Sequence, residues 1–339
     1  MGRRKGTRLN EIGEFGLIER IKSWVKSRDP RVIVGIDDDA AVLDEGGECL
    51  TLATIDAFVE GVHFERAYAS FYQVGWKAMA ANLSDIAAMG GSPSVAVVSL
   101  TVPGDLTVED VEGLYQGIEA VGERFGCDTV GGDTTSSPGP IVLSIAVLGK
   151  VDRGLVALRS AARVGDQICV TGHLGGAAAG LEVLQRGSGA ELGKHEREAV
   201  RKHLEPLPRV SEAEGLTQAG LVHAMIDISD GLASDLHHIC RQSKVGAKIL
   251  EERIPIDPST EQIALGRSCS ALSWALSGGE DFELLFTAAS EDLARCRPDV
   301  AFSVIGEIVE QQAGIVLCKK DGTSEPLTAS GYAHFARGT

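Results

Sequence analysis

Six aspartates in short Gly- or Ser-rich segments are the residues of this sequence best suited to chemistry. They are Asp39, Asp56, Asp85, Asp133, Asp227 and Asp230. Each closes an apolar run typical of a strand or lies on an apolar run typical of a helix, and an unpaired buried carboxylate costs several kcal/mol. Carboxylates that converge beside apolar elements therefore predict hard cations, and Mg²⁺ held in this way usually also holds phosphates.

Asp85 gives the sharpest argument for such a site. A helix predicted over residues 70–89 places it on one stripe with Ala78, Ala81 and Ala88. Because the other members of the stripe are small and apolar, the carboxylate needs a partner. That partner is a bound cation or, in the ordinary alternative, a local hydrogen bond or an arginine.

Two predicted strands also end in an aspartate. The strand that ends at Asp56 alternates apolar residues onto one face, and this face turns polar only at Thr54 and Asp56, as expected where a strand meets a site. Asp227 and Ser229 likewise share a side at the end of a later strand. Ser229 and Asp230 also fit a helix cap followed by a turn, so both interpretations stay open.

Glycine-rich turns accompany several of these positions. Three adjacent acids at 37–39 fit a solvated turn as well as a site, and they cannot all face one ion. Gly132 would let the backbone approach a ligand closely next to Asp133, although a Gly-rich hairpin would look the same. The turn 172–176 resembles a phosphate cradle but matches neither dinucleotide-binding nor Walker A spacing, which favours a packing turn.

Two acids and a histidine complete the candidates. Glu280 and Asp281 follow a Gly pair and introduce an apolar strand, an arrangement that fits a pocket rim better than a plain turn. His63 could face a ligand, but on its own it favours a structural role. No Ser-His-Asp or Cys-His arrangement can be argued, so covalent catalysis is not expected.

The elements that must position these residues predict a two-domain protein. At 339 residues the chain is long for one core. Strands and helices mix in both halves, so the class is α/β or α+β, with mixed sheets and flanking helices. The predicted division is a disordered arm at 1–9, an N-terminal domain at 10–150 and a C-terminal α/β domain at 151–339. The clearest predicted elements are helices over 11–26, 70–89, 108–125 and 232–243 and strands over 49–55, 94–102, 129–130, 141–148 and 282–287.

Composition narrows the partners. The net charge of −16 argues against nucleic acid and anionic membranes but not against a nucleotide, because bound Mg²⁺ reverses the local sign. Seven widely spaced cysteines fit reduced thiols in the cytoplasm. The basic start has no apolar run behind it, so a signal peptide is not expected, and no stretch approaches membrane-spanning length.

Taken in order, these segments resemble the thiamine-monophosphate kinase family, which is similar to aminoimidazole ribonucleotide synthase. The matching segments are 35–42, 56–64, 82–93, 131–135, 157–181, 226–236 and 277–286. The resemblance implies the two-domain fold of that superfamily and a homodimer formed through the N-terminal domain. It also implies transfer of the γ-phosphoryl group of ATP to thiamine monophosphate, giving thiamine diphosphate. The acceptor is an anionic phosphate oxygen, so positioning and charge neutralisation by several Mg²⁺ ions suffice and no general base is required.

The resemblance also implies roles for individual residues. Those expected to hold Mg²⁺ are Asp39, Asp56, Asp85, Asp133, Asp227 and Asp230, with Thr54 and the carbonyl of Ile55. Those expected to contact ATP are Tyr115, Gly132, Arg159 and Ser229. Those expected to touch thiamine monophosphate are His63 and Glu280.

Three positions depart from the family pattern. An extra acid stands at Asp37, and Gly176 replaces a usual Asp. Near the end of the chain Ala329 replaces a substrate-contacting Trp, which puts acceptor affinity in doubt more than the chemistry. Tyr332, Phe335 or Trp274 are the candidates to fill its place.

Other enzymes of the same superfamily are the main alternative functions. A selenophosphate synthetase should have a reactive Cys near its start, whereas the first cysteine here is Cys49, and a hydrogenase-maturation carbamoyl dehydratase should end in Cys, whereas this sequence ends in Thr339. Aminoimidazole ribonucleotide synthase fits the motifs less well. From another class, a nucleotide-binding regulatory protein without turnover is the alternative, and the full set of aspartates argues against it.

Overall fold

The structure, a computed structural model of the chain, describes residues 6–187, 191–267, 269–295, 300–332 and 334–335. Residues 1–5 of the predicted N-terminal arm lie outside the described residues, and the first helix already begins at Leu9. None of the six cysteines that the structure describes takes part in a disulfide bond. None of the described helices is both long and apolar enough to span a bilayer.

The first half of the chain folds around a six-stranded sheet with two long helices on one face. The strand order is β1-β2-β3-β6-β4-β5, and only the β4–β5 pair is parallel. The strands are β1 Val32–Val34, β2 Ala41–Leu43, β3 Cys49–Val59, β4 Ser92–Val102, β5 Asp128–Ser136 and β6 Val142–Asp152. The helices are α1 Leu9–Trp24, α2 Phe71–Ala88 and α3 Val108–Phe125.

Helix α2 is the central element of the molecule. Ser70 begins it with a capping box, in which its hydroxyl accepts from Gln73 N–H and its own N–H donates to the Gln73 side chain. Gly117 lets α3 approach closely, because a Cβ there would lie 1.9 Å from the Tyr72 carbonyl oxygen. Two residues past the end of α2, Gly90 takes a left-handed φ of 74° and turns the chain away from the helix.

The second half is built on a seven-stranded sheet. Its strand order is β13-β12-β9-β11-β7-β10-β8, with β9 and β12 parallel and the other pairs antiparallel. The strands are β7 Gln167–Thr171, β8 Ala224–Asp227, β9 Gly246–Leu250, β10 Leu284–Ala288, β11 Phe302–Val309, β12 Ile315–Cys318 and β13 Ser324–Pro326. The helices are α4 Gly176–Arg186, α5 Lys194–Leu204, α6 Val210–Gln218, α7 Leu232–Ser243, α8 Pro258–Arg267, α9 Ala271–Ser277 and α10 Ser290–Leu293.

One hydrophobic core continues through the junction of the two halves. Met79 and Ile86 on α2 belong to the same buried cluster as Leu284 and Phe286 on β10. Trp76, also on α2, donates its ring N–H to the carbonyl of Pro206 at 2.8 Å. Because α2 packs on its own sheet and on the second half, nearly all of its side chains are buried. A polar side chain on this helix is therefore placed with little freedom.

The face of the six-stranded sheet opposite α2 carries exposed apolar side chains. Ile55, Val97, Val130 and Leu148 come from four different strands, and their exposed fractions are 66%, 45%, 60% and 45%. We call this surface the outer sheet face. Exposed apolar side chains grouped on one face are typical of a surface that contacts another molecule.

Candidate active site

A cleft of about 630 Å³ opens between the two halves, and both halves line it. Asp56 and Asp85 come from the first half, at β3 and α2, and Asp227 and Asp230 come from the segment around the end of β8. The sequence therefore predicted four carboxylates that the fold brings to one cavity from three separate elements.

Three carboxylates form a tight cluster at one end of this cleft. One oxygen atom of each of Asp39, Asp85 and Asp227 lies within 4.8 Å of the others. Asp85 and Asp227 come from α2 and β8, while Asp39 lies in the segment between β1 and β2. Oxygen atoms from several rigid elements are the donor set that Mg²⁺ takes in proteins, so the residues present fit a hard divalent cation.

Neighbouring polar side chains fix the orientation of these acids. Thr54 Oγ1 donates to Asp85 Oδ2 at 2.5 Å, and Ser84 Oγ donates to Asp227 Oδ2 at 2.7 Å. Asn82, which is fully buried, accepts the backbone N–H of Asp56 at 3.0 Å. The Asn82-Leu83-Ser84-Asp85 segment of α2 thus holds the strand on one side and the β8 carboxylate on the other.

The cluster carries negative charge at an electrostatic cost. Burial, together with the nearby Asp39 carboxylate, raises the pKa of Asp227 to about 8. Burial and the nearby Asp56 and Asp227 carboxylates raise the pKa of Asp85 well above its ordinary value. The pKa of Asp230 is raised to about 6, mainly by burial. A bound divalent cation would stabilise the ionised forms of all these groups, which is a second reason why the donor set fits one.

The side chain of Arg159 brings a positive charge to this cluster. Its guanidinium forms an ion pair with Asp39, and its Nε lies 3.7 Å from Asp38 Oδ1. Asp37 instead points outward and pairs with Lys22 at 2.6 Å. The turn at 37–39 is therefore part of the site through two of its three acids, while the third ties helix α1 to it.

Three predicted site residues, Asp133, Gly132 and Tyr115, lie outside the cleft and away from the aspartate cluster. In the sheet register Asp133 on β5 pairs with Ser99, Ser99 with Ser144, and Ser144 with Ala57 on β3. Three strand spacings put Asp133 about 14 Å along the sheet from β3. Gly132 precedes it on the same edge strand, and Tyr115 lies half-buried on α3.

The roles of these three residues therefore stay predictions. Within one chain, the fold does not bring these residues to the aspartate cluster.

His63 and Glu280, the predicted acceptor contacts, both line the other end of the cleft. His63 Nδ1 accepts the N–H of Val59 at 3.1 Å, which assigns the ring proton to Nε2. Glu280 has a left-handed φ of 68°, which is strained for a residue with a side chain, and its N–H donates to the Ser229 carbonyl at 2.8 Å. Ser229, predicted to contact ATP, lines the same cleft.

Two functional candidates at this end were missed by the sequence interpretation. Lys77 on α2 is only 3% exposed, and its Nζ lies 2.7 Å from Glu280 Oε1. His203 on α5 is 2% exposed, lines the cleft and lies 3.4 Å from Lys77 Nζ through its Nε2. The signal available in the sequence was a lysine within the apolar run of α2.

The turn 172–176 is a packing turn and not a phosphate cradle. The carboxylate of Asp281 accepts the N–H groups of Gly175 at 2.7 Å and Ala177 at 3.1 Å, and so occupies the start of α4. Burial nevertheless raises the pKa of Asp281 to about 7, because two amide donors offset only part of the desolvation. Asp281 therefore caps a helix, and of the two acids only Glu280 lines the cleft.

The segment around Ala329, where the family pattern has a Trp, borders the cleft that His63 and Glu280 line. Ala329 is exposed, and the hydroxyl of the next residue, Ser330, lies 2.7 Å from that of Ser277. Tyr332 lines the cleft, whereas Trp274 packs against a separate cluster around α4. Of the three candidates to replace the Trp, the structure places Tyr332 in the cleft.

Comparison with known proteins agrees with this fold. The family model for the AIR synthase related protein N-terminal domain matches residues 37–151, and the model for the C-terminal domain matches residues 163–319. The chain therefore carries both domains of the AIR synthase related class of proteins.

Relatives within that class are similar over nearly the whole chain. A thiamine-monophosphate kinase of Bacillus subtilis is 36% identical over 336 residues, covering 96% of this chain and 100% of the relative. One from Aquifex aeolicus is 36% identical over 328 residues, covering 97% and 100%. A solved structure of AaThiL complexed with AMPPCP and TMP superposes with a TM-score of 0.88 at 34% identity, covering 98% of this chain and 100% of that one. The chain belongs to the thiamine-monophosphate kinase family.

Proposed function

We propose that this enzyme transfers the γ-phosphoryl group of ATP to the phosphate of thiamine monophosphate, giving thiamine diphosphate and ADP. The observation that carries the proposal is the cleft itself, which holds an aspartate cluster at one end and His63 with Glu280 at the other. The names of the relatives and the AaThiL complex with AMPPCP and TMP support the same substrates.

The aspartate cluster is the proposed Mg²⁺ site. The ions would be held by Asp39, Asp56, Asp85, Asp227 and Asp230, with Thr54 and the Ile55 carbonyl beside them. When bound, Mg²⁺ neutralises phosphate charge and the charge that develops on the transferred group. The side chain of Ile55 turns to the outer sheet face, so only its backbone could take part.

The protein's own residues position the reaction. The Arg159 guanidinium pairs with Asp39 of the cluster and would contact phosphate oxygens bound there, while Ser229 lines the cleft. The two phosphates then meet near Asp85 in an in-line arrangement. No side chain has to remove a proton, because the acceptor oxygen is already anionic.

The acceptor's rings are proposed to lie at the opposite end. His63, Tyr332 and Glu280 present two flat rings and one carboxylate to this part of the cleft. A phosphate held at the cluster and rings held here would fix both ends of the acceptor, as positional catalysis requires.

A homodimer formed through the N-terminal domain completes the proposal. The outer sheet face is apolar and exposed, and β5 leaves an unpaired strand edge beside it. The same edge carries Gly132 and Asp133, so pairing there would bring a second chain to residues that lie outside this chain's cleft. Sedimentation at micromolar concentration should show a dimer, and a monomer alone would contradict this part of the proposal. We place the enzyme in the cytoplasm, because its widely spaced cysteines fit reduced thiols.

The experiment that tests the proposed function is direct. The purified chain is incubated with ATP, thiamine monophosphate and MgCl₂, and thiamine diphosphate is separated by chromatography. We expect formation that depends on all three components and stops with EDTA. ATP consumption with another small phosphate acceptor and none with thiamine monophosphate would indicate a sister activity.

A further inference from the structure

The acceptor end of the cleft contains a buried ionic group in which Glu280 has a predicted role but its lysine and histidine partners have none. Lys77 Nζ lies 2.7 Å from Glu280 Oε1 and 3.4 Å from His203 Nε2, and His203 Nδ1 lies 3.3 Å from Glu280 Oε2. The three residues come from α2, α5 and the segment before β10. We call them the Lys77–Glu280–His203 group.

We propose that Lys77 and His203 are positioning residues that hold Glu280 ionised and aimed into the cleft, where it recognises an amino-substituted nitrogen ring of the acceptor. This inference rests on the proposed function, because it assigns the aminopyrimidine end of thiamine monophosphate to Glu280.

The charge state of the group follows from its surroundings. Burial disfavours a charge on Glu280, but the Lys77 ammonium, which also donates a hydrogen bond to its carboxylate, outweighs burial, so the pKa of Glu280 lies below its ordinary value. Burial and the Lys77 ammonium lower the pKa of His203 to about 3, so its ring is neutral. His63, Tyr68 and Tyr332 also face Glu280. Glu280 is thus the one acid of the group, and it is held as a carboxylate.

The geometry of His203 shows how it orients Glu280. Its Nε2 accepts from the Lys77 ammonium, which assigns the ring proton to Nδ1. Nδ1 is buried and, among the residues that the structure describes, has no hydrogen-bond partner of good geometry. It faces Glu280 Oε2 at 3.3 Å, so Lys77 and His203 hold the two oxygens of the carboxylate from different sides.

The backbone around Glu280 is strained, as is common in ligand-binding segments. Its φ of 68° and that of Phe282, 49°, are both left-handed, although neither residue is glycine. Such strain persists only where the surrounding contacts hold it, and it is typical of ligand-binding segments. The Glu280 side chain remains 28% exposed, whereas that of Lys77 is 3% exposed, so the carboxylate is the member that a ligand can reach.

The position of the group suits an acceptor of this length. Lys77 and Asp85 both lie on α2, about 12 Å apart at the helical rise per residue. The aspartate cluster and the Lys77–Glu280–His203 group therefore lie at two ends of one rigid helix. A carboxylate with flat rings beside it recognises N–H donors of a planar heterocycle.

Acceptor kinetics test the inference. The KM values for thiamine monophosphate and for its analogue without the pyrimidine amino group are measured for wild type, Lys77→Met, Glu280→Gln and the double variant. We expect wild type to favour the amino-bearing acceptor by roughly tenfold or more. Either single variant should raise KM by about tenfold with kcat within about threefold, and should abolish the preference. Melting temperatures are recorded for each variant.

The double variant separates positioning from a merely structural role. If Lys77 acts through Glu280, the double variant has the KM of Glu280→Gln within about twofold, because removing both charges leaves neither unpaired. Lys202→Met is the matched control, since Lys202 pairs with Asp257 away from the cleft, and its KM should equal that of wild type.

Each contrary result has a distinct meaning. The inference would be overturned if the single-variant effects on KM multiply in the double variant. It would also be overturned if wild type does not prefer the amino-bearing acceptor. In both cases thiamine diphosphate formation would still support the proposed function. A wild type that forms no thiamine diphosphate would overturn the proposed function as well. If Lys77→Met does not fold, His203→Phe takes its place, and an unchanged acceptor preference in that variant would overturn the inference.

Discussion

Ser84 and Asp227 belong to opposite halves of the chain, and the Ser84 hydroxyl donates a 2.7 Å hydrogen bond to Asp227 Oδ2. Ser84 directly precedes Asp85 on α2, so the helix that supplies one carboxylate of the cluster also orients another. The site is therefore assembled across the junction, and the packing of α2 determines its geometry.

Ser84→Ala should weaken the site without dismantling it. The variant leaves Asp227 without its hydroxyl donor, and a hydrogen bond to a charged group contributes about 1.5–3 kcal/mol. We expect the Mg²⁺ concentration for half-maximal activity to rise roughly tenfold, measured by magnesium titration of thiamine diphosphate formation. Ser92→Ala is the control, because Ser92 donates to Glu214 outside the cleft. Equal titration curves for both variants would contradict the role given to Ser84.

Asp85→Asn should abolish turnover and keep the fold. The buried amide can still accept from Thr54 but lacks the charge that a divalent cation requires. We expect kcat to fall by about a hundredfold or more, with a melting temperature at or above that of wild type, because a destabilised charge is removed. Asp128→Asn, at an exposed position on β5, serves as the control. Near-normal activity of Asp85→Asn over a magnesium titration would remove Asp85 from the mechanism.

Asp133→Asn tests whether a second chain completes the site. Asp133 is exposed and lies three strands from Asp56, so a large loss of kcat would have to arise through a partner chain. Co-refolding inactive Asp133→Asn with inactive Asp85→Asn should then restore about a quarter of wild-type activity, since half of the dimers would hold one intact site. No recovery on mixing, with dimers present, would place Asp133 in its own chain's site or outside the mechanism.

The metal-free protein should lose stability as pH rises. The pKa of Asp227 is raised from 3.8 to about 8, so between these values the folded state binds more protons than the unfolded state. Stability from this group therefore falls as pH rises through that window. With EDTA we expect the melting temperature to drop roughly 5 °C between pH 6 and 9. Asp227→Asn should flatten the profile, and MgCl₂ should raise the melting temperature more at pH 8.5 than at pH 6. A wild-type profile identical to that of Asp227→Asn would contradict the prediction.

Restoring the family's aromatic residue should strengthen acceptor binding. Ala329→Trp places a ring beside the segment that carries Tyr332 into the cleft. A remote contact that is equal in ground and transition states changes KM and not kcat. We expect the KM for thiamine monophosphate to fall roughly threefold to tenfold, if stacking contributes about 1 kcal/mol. An unchanged KM would mean that Tyr332 already fills the place of the ring or that the acceptor is different. A structure with acceptor bound would separate those two outcomes.

Local patterns predicted the long elements of this fold well. The helices expected over 108–125 and 232–243 have the observed bounds of α3 and α7, because caps, length and periodicity agree there. The strand expected at 129–130 is in fact β5, Asp128–Ser136, and its Gly- and Thr-rich sequence is held by pairing with β4. Short elements such as β9 and α8 were missed, since tertiary packing stabilises them more than their own sequence does.

Part of the candidate site could likewise be predicted from the sequence, and part could not. Asp85 could be recognised because a carboxylate in an apolar helix stripe needs a partner, and the structure supplies Thr54 next to the other acids. The pairing of Lys77 with Glu280 and His203 joins positions far apart in sequence, and no local pattern encodes it. Recognition of the charged centre was thus possible from the sequence, whereas the partners that orient it required the fold.

The most direct test of this account is transfer of label from [γ-³²P]ATP to thiamine monophosphate by wild type and Asp85→Asn, each with MgCl₂ and with EDTA. We predict labelled thiamine diphosphate with wild type and MgCl₂, and at least about a hundredfold less in the other three reactions. Labelled inorganic phosphate with no labelled thiamine diphosphate, or equal transfer by Asp85→Asn, would contradict it.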